Sequence, residues 1–172
     1  AIRGLVEEKH VLITAHTGSG KTLPAEFAIK HFTDKGKKVV YTSPIKALSN
    51  QKYHEFSEQF PHLSFGLLTG DIKTNPEADV LIMTTEILRN TLFQKQMQKE
   101  DETANVKLHF EMDIENELGC VVFDEIHYIN DADRGKVWEE TIMLLPSHVQ
   151  MLMLSATLDK EERFAEWIST VK

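Results

Sequence analysis

His10-Val11-Leu12-Ile13-Thr14-Ala15-His16-Thr17-Gly18-Ser19-Gly20-Lys21-Thr22 joins a strand-length apolar run to a glycine-rich turn, and from Lys21 to Phe32 the residues Leu23, Phe27, Ala28 and Phe32 return at helical spacing. The unit reads strand, loop, helix. It recurs along the chain. Lys38 to Ser43 precedes a helix-like Lys46 to Phe56, Asp79 to Thr84 precedes Glu86 to Phe93, Cys120 to Phe123 precedes Val137 to Leu145, and Gln150 to Leu154 precedes Lys160 to Ile168. Ser64 to Leu68 is a further strand candidate. Strands apolar on both faces that alternate with helices predict an α/β fold, a doubly wound parallel sheet covered on both sides. In such sheets ligands sit beyond the carboxyl ends of the strands, so the loops after each apolar run are where chemistry is expected.

A chain of 172 residues, 41% hydrophobic and 27% charged, has the length and composition of one globular domain. No run approaches a membrane span, and the charged start Ala1-Ile2-Arg3-Gly4-Leu5-Val6-Glu7-Glu8 lacks the apolar core of a secretory signal, so a soluble, intracellular protein without a membrane partner is expected. The single cysteine, Cys120, lies in an apolar run, which excludes a disulfide framework or a cysteine metal site. The net charge of -8 argues against a wrapped, polybasic grip on nucleic acid. Its distribution is uneven: residues 1–93 carry 11 basic and 10 acidic groups, and the acidic excess lies beyond them. An anionic polymer should meet the N-terminal half.

One stretch breaks the rhythm. Residues 94–117 are strongly charged, and Val106, Leu108, Phe110, Met112 and Ile114 alternate with Lys107, His109, Glu111, Asp113 and Glu115. The alternation predicts an inserted, half-buried edge strand or hairpin, apolar side inward, that the fold can lose without harm. A solvated loop with chance alternation is the other reading.

Ala15-His16-Thr17-Gly18-Ser19-Gly20-Lys21-Thr22 fits the phosphate-loop pattern with Ala15 at the usual first glycine. Gly18 and Gly20 let backbone N–H groups turn around phosphate oxygens, and the helix N-terminus behind them adds positive potential. Lys21 supplies a mobile charge to the β- and γ-phosphates of a nucleoside triphosphate such as ATP, and the Thr22 hydroxyl suits Mg2+. The run Val121-Val122-Phe123 ends in Asp124-Glu125-Ile126-His127, and the two motifs are expected at neighbouring strand ends. There Asp124 can hold Mg2+ through water, Glu125 can orient or deprotonate the attacking water, and His127 can sense the γ-phosphate or touch the next strand.

The remaining loops form a third group. Thr42-Ser43-Pro44-Ile45-Lys46-Ala47-Leu48, Thr69-Gly70-Asp71 and Thr84-Thr85-Glu86 place small hydroxyls and backbone N–H groups at strand ends, with Lys46 and Arg89 adding charge. These groups suit a sugar-phosphate backbone that is held without base readout. Ser155-Ala156-Thr157 follows the last run, where its hydroxyls can bridge to Asp124 or His127.

In order and spacing, AHTGSGKT, TSPIKALSNQ, LLTGDIKTNPEADVLIMTTEILR, FDEIHYINDADRGKVWEE and LSAT resemble the first RecA-like domain of superfamily two DExH-box helicases, closest to the superkiller-type RNA helicases that feed the exosome. The resemblance covers residue 10 to about residue 160 apart from 94–117. It implies a P-loop NTPase domain spanning 1–172, with ATP phosphates on Ala15 to Thr22, Mg2+ near Thr22 and Asp124, and Glu125 as catalytic base beside Lys21, Asp124 and His127. It further implies Ser155 and Thr157 as couplers of hydrolysis to strand movement, and Pro44, Lys46, Thr69, Gly70, Thr84, Thr85 and Arg89 along a single strand of RNA traversed 3′ to 5′. A second RecA-like domain with an arginine finger would follow Lys172, and an adenine-contacting glutamine would precede Ala1. The chain alone is then expected to be nearly inactive, its partners being RNA, the second domain and the exosome or an associated RNA-processing complex. A related DNA helicase and a nucleotide-gated adaptor without unwinding activity are the other readings, and an intact Lys21, Asp124 and Glu125 count against the adaptor.

Overall fold

The computed structural model describes residues 2–14, 22–101, 103, 110, 112–126, 132–155, 166 and 168–171, with Thr22 and 132–136 described as backbone alone. The helices are α1 (Ile2–Val6), α2 (Thr22–Asp34), α3 (Lys46–Gln59), α4 (Thr85–Glu100) and α5 (Ala132–Leu144), and the strands β1 (Val11–Thr14), β2 (Lys38–Ser43), β3 (Phe65–Leu68), β4 (Lys73–Thr74), β5 (Val80–Thr84), β6 (Leu118–Phe123) and β7 (Gln150–Ser155). Residues 166 and 168–171 are also helical, whereas most of the predicted Lys160 to Ile168 helix, 160–165 and 167, lies outside the described residues. The sheet order is β1-β7-β6-β2-β5-β3-β4. All neighbours are parallel except the β3–β4 hairpin at the edge.

The predicted parallel, two-sided sheet is therefore the observed one. Alternate residues of the strands feed two separate cores. Val39, Tyr41, Ile82, Val122 and Leu154 face α1, α2 and α3 through Leu5, Ala28, Ile29 and Phe56. Val40, Leu81, Val121, Phe123 and Met153 face α4 and α5 through Leu88, Leu92, Trp138 and Ile142. Double burial explains why these strands read as unbroken apolar runs.

Two elements escaped the sequence reading because neither has room for a period. β4 is two residues long and exposed. Its path back across β3 explains Gly66, where a Cβ would come within 2.3 Å of the Asn75 carbonyl. α1 is five residues long, and its fully buried Leu5 anchors it. The Gln150 side-chain amide on β7 donates to the carbonyls of Leu5 (3.0 Å), in the last turn of α1, and Lys9 (3.3 Å), just beyond it.

The 94–117 segment corrects the expectation in two ways. Residues 94–100 continue α4 rather than leaving it at Phe93. Of the alternating set, Met112 is irregular and Ile114 lies in a turn, so these residues form no edge strand, while 104–109 and Glu111 lie outside the described residues. The inward turn of the apolar side is as expected, with Phe110, Met112 and Ile114 all buried and Asp113 and Glu115 exposed. This trio packs into the same core as Trp138 and Leu92, so the apolar side of the segment is built into that core. Among the described residues no helix is long and apolar enough to cross a membrane.

Candidate functional site

Parallel register brings the strand ends into one row. Thr14 of β1 stands beside Ser155 of β7, Met153 beside Phe123 of β6, Phe123 beside Thr42 of β2, Ser43 beside Thr84 of β5, and Met83 beside Leu68 of β3. Every loop singled out in the sequence leaves from this edge. β1 and β6 are not neighbours, however, since β7 runs between them. The expectation of adjacent ends is corrected accordingly, and the intervening strand puts the buried Ser155 between the phosphate-loop strand and Asp124.

Asp124 is the buried carboxylate of the row. It follows β6 at the centre of the sheet, 5% exposed, and its backbone N–H donates to the Thr42 carbonyl at 2.9 Å. Oδ1 accepts the Glu125 N–H at 2.8 Å, and Oδ2 accepts the Tyr41 hydroxyl. Tyr41 reaches it because Tyr41 and Val122 are register partners on one face, which places the tyrosine ring beside the next inward position of β6. The ring is fully buried and stands edge-on to Phe56 of α3, centroids 5.3 Å apart. Burial, first, and then the Asp124 carboxylate push the phenol well above its ordinary range, so Tyr41 is a standing donor. Glu125 is half-buried with φ of 56°, a left-handed conformation rare for a residue with a side chain.

The sequence reading passed over Tyr41. The available signal was a hydroxyl inside the apolar run Val39-Val40-Tyr41, since a buried tyrosine oxygen requires a partner. Ala15 to Lys21, His127 and Thr157 lie outside the described residues. What the structure gives of the phosphate motif is its frame. β1 ends at Thr14 and α2 begins at Thr22, with Pro24 in a first turn that contains no acidic residue to oppose an anion.

The candidate metal site fits a cation carried by phosphates. Among the described residues no cluster of three His, Cys, Asp or Glu side chains exists, so none of them forms a self-sufficient cage. A single buried carboxylate with both oxygens oriented is the donor set that Mg2+ uses when phosphates and waters complete its shell.

The other half of the row is built differently. Lys46 at the start of α3 is exposed and pairs with Asp71 in the β3–β4 connection. Pro44 and Thr84 are half-buried and Gly70 is exposed. Thr69 and Thr85 are buried and hold the loops together. Thr69 accepts the Ile72 N–H at 3.2 Å, and Thr85 donates to the Ser43 carbonyl at 3.3 Å. Arg89 is turned along α4, bonded to Asn90 at 3.0 Å and to Glu140 of α5 at 3.4 Å. Pro44, Lys46, Gly70 and Thr84 thus lie exposed or half-buried at the ends of neighbouring strands, while Arg89 pairs with Glu140 of α5.

Known proteins carry the same frame. The chain is 45% identical over its full length to the antiviral helicase SKI2 of Saccharomyces cerevisiae and 46% identical over 98% of its length to the exosome RNA helicase MTR4 of Homo sapiens. It spans 12% and 14% of those two proteins. The fold is that of a helicase motor domain. A crystal structure of the DUF1998 helicase MrfA bound to DNA and AMPPNP superposes with a TM-score of 0.72 at 16% identity, over 98% of this chain and 25% of that one. The SWI2/SNF2 ATPase core of Sulfolobus solfataricus in complex with dsDNA superposes at 0.64 and 19% identity, over 99% of this chain and 32% of that one. With the DEAD/DEAH box helicase profile matching residues 1–164, the chain belongs to the DEAD/DEAH box helicase family.

Proposed function

We propose that this chain is the first motor domain of a superkiller-type, ATP-dependent RNA helicase. Nucleotide sits over the ends of β1, β7 and β6, and single-stranded RNA over the ends of β2, β5 and β3. The observation that carries this reading is the oriented, buried Asp124 at mid-row, with β7 alone between its strand and the phosphate-loop strand on one side and β2, which leads into the Ser43–Lys46 loop, on the other. Relatives named as RNA helicases, MTR4 among them, tilt the polymer to RNA.

The residues divide the work by chemistry. Backbone N–H groups of Ala15 to Thr22 and the α2 N-terminus bind the phosphates, and Lys21 neutralises the γ-phosphoryl oxygens. Thr22 and Asp124 would hold Mg2+, which would supply charge neutralisation on the phosphates. Glu125 orients the attacking water and accepts its proton, and His127 senses the γ-phosphate. Ser155 and Thr157 relay the nucleotide state to the neighbouring strand ends. Pro44, Lys46, Gly70 and Thr84 contact the RNA backbone, Thr69 and Thr85 shape their loops, and Arg89 joins them only by leaving Glu140. A second RecA-like domain supplies the other wall of both sites, including an arginine finger that contributes about 10³ to 10⁵ in rate in comparable phosphoryl transfers. Translocation runs 3′ to 5′, in the service of the exosome or an associated RNA-processing complex. Residues 1–172 alone hold half of each site and should show almost no RNA-stimulated ATPase.

The test compares two substitutions in the full-length protein. Lys21→Ala should weaken ATP binding, whereas Glu125→Gln should keep binding and lose turnover by about 10² to 10⁴, the range for a positioned general base. Equal loss of binding in both would mean that Glu125 is not the catalytic base.

A further inference from the structure

The nucleotide end contains a group that the motif reading does not use. The Tyr41 hydroxyl is fully buried, points at Asp124 Oδ2, and belongs to the strand that delivers Ser43, Pro44 and Lys46 to the surface. Asp124 is thereby gripped from two sides. Glu125 N–H fixes Oδ1 from within its own loop, and Tyr41 fixes Oδ2 from β2. Without the tyrosine hydroxyl nothing in β2 would hold the carboxylate plane, although the Thr42 carbonyl would still hold the Asp124 backbone at 2.9 Å.

We infer that Tyr41 is a positioning residue for the magnesium-holding carboxylate, setting the orientation in which Asp124 meets nucleotide-bound Mg2+. The inference rests on the reading of Asp124 as the Mg2+ carboxylate. Two opposing effects decide its sign. A donor to Oδ2 draws charge from the carboxylate and weakens its pull on a cation, but it also fixes the direction of the remaining lone pairs. Outer partners orient the groups that hold a metal, and losing one costs about 10- to 100-fold in metal affinity or activity, so the orientational effect is the one expected to set the sign here. The edge-on contact with Phe56 packs the ring in place, so the hydroxyl has little freedom to leave.

Tyr41→Phe keeps the ring and its packing and removes one oxygen. In the full-length protein, binding of a fluorescent ADP is titrated with Mg2+, an equilibrium readout independent of turnover. The half-saturating Mg2+ concentration should rise about tenfold or more, with Mg2+-free ADP affinity unchanged and kcat lowered at limiting Mg2+. Phe56→Leu, which removes packing but leaves the hydroxyl, should lower the melting temperature and leave the Mg2+ midpoint within about twofold. An unchanged midpoint in Tyr41→Phe overturns the inference, as does an equal shift in Phe56→Leu, which would assign the effect to packing. Asp124→Asn separates the role of the carboxylate from that of the tyrosine. If Asp124→Asn itself leaves the Mg2+ midpoint in place, the Mg2+ assignment is wrong. If Asp124→Asn shifts it and Tyr41→Phe does not, only the role of Tyr41 falls.

Discussion

The two halves of the strand-end row differ in how they are held. At β6 the polar groups are inside the protein. Asp124 and Ser155 are buried, Tyr41 is fully enclosed, Glu125 is kept in a strained backbone conformation, and Phe123 leans on Trp138 at 4.8 Å beneath them. Toward β3 and β4 the charged groups stand in water, with Lys46 and Asp71 an exposed pair, Gly70 exposed and the hairpin only two residues wide, while the buried Thr69 and Thr85 hold the loops beneath. The difference suits the roles proposed for the two halves. Phosphoryl transfer depends on groups placed before the reaction starts, because reorientation at the moment of reaction costs rate. A polymer backbone that must pass from register to register needs contacts that form and release, and exposed ion pairs are worth only about 0 to 1 kcal/mol.

The largest expected effect follows from the support under β6. Trp138→Ala should destabilise the domain by about 3 to 5 kcal/mol, the range for removing a buried aromatic. Thr74→Ala in the exposed β4 should stay within about 0.5 kcal/mol. Hydrogen exchange of β6 amides in the full-length protein reads both. Comparable losses of protection in the two variants would erase the contrast between a supported half and a loose one.

That contrast was only partly legible in the sequence. The parallel sheet could be read because strands such as Lys38 to Ser43 and Gln150 to Leu154 are apolar on both faces, and double burial leaves a mark on every residue. The strand-end loops could be read because phosphate binding and metal binding demand particular residue types at fixed spacing. Strand order is a different matter. That β7 separates β1 from β6 follows from long-range pairing that leaves no local mark on either strand. Tyr41 was hidden for a related reason, since its partner lies 83 positions away. The contact of Arg89 with Glu140 was hidden in the same way, since the two lie 51 positions apart. In residues 112–115 the alternation was real, but a turn can bury every second residue as well as a strand can.

A smaller effect is expected at Glu125. Its positive φ costs about 1 to 2 kcal/mol for a residue with a Cβ, so Glu125→Gly should be more stable than Glu125→Ala by about that amount while both lack turnover. Thermal unfolding of the two variants compares them directly. Equal stability would mean that the conformation carries no strain, and the nucleotide half would then not be held against its own preference.

The smallest effect on stability is expected at Lys46. Lys46→Ala should change the fold by less than about 0.5 kcal/mol, as for other exposed pairs. It should also reduce the salt dependence of RNA binding by roughly 0.7 in the log–log slope if the lysine meets one phosphate of a single strand. An unaltered slope would take Lys46 off the polymer track.

The division of the row is tested most directly by photocrosslinking the full-length protein to single-stranded RNA containing 4-thiouridine, in the presence of a non-hydrolysable ATP analogue, and mapping the modified peptides. Crosslinks within this domain are expected at Pro44 to Lys46, Thr69 to Asp71 and Thr84, and none along Leu92 to Lys99 or Met112 to Glu115. Crosslinks confined to those latter segments, or their absence from all three strand-end loops, would contradict a nucleotide half and a polymer half on one row.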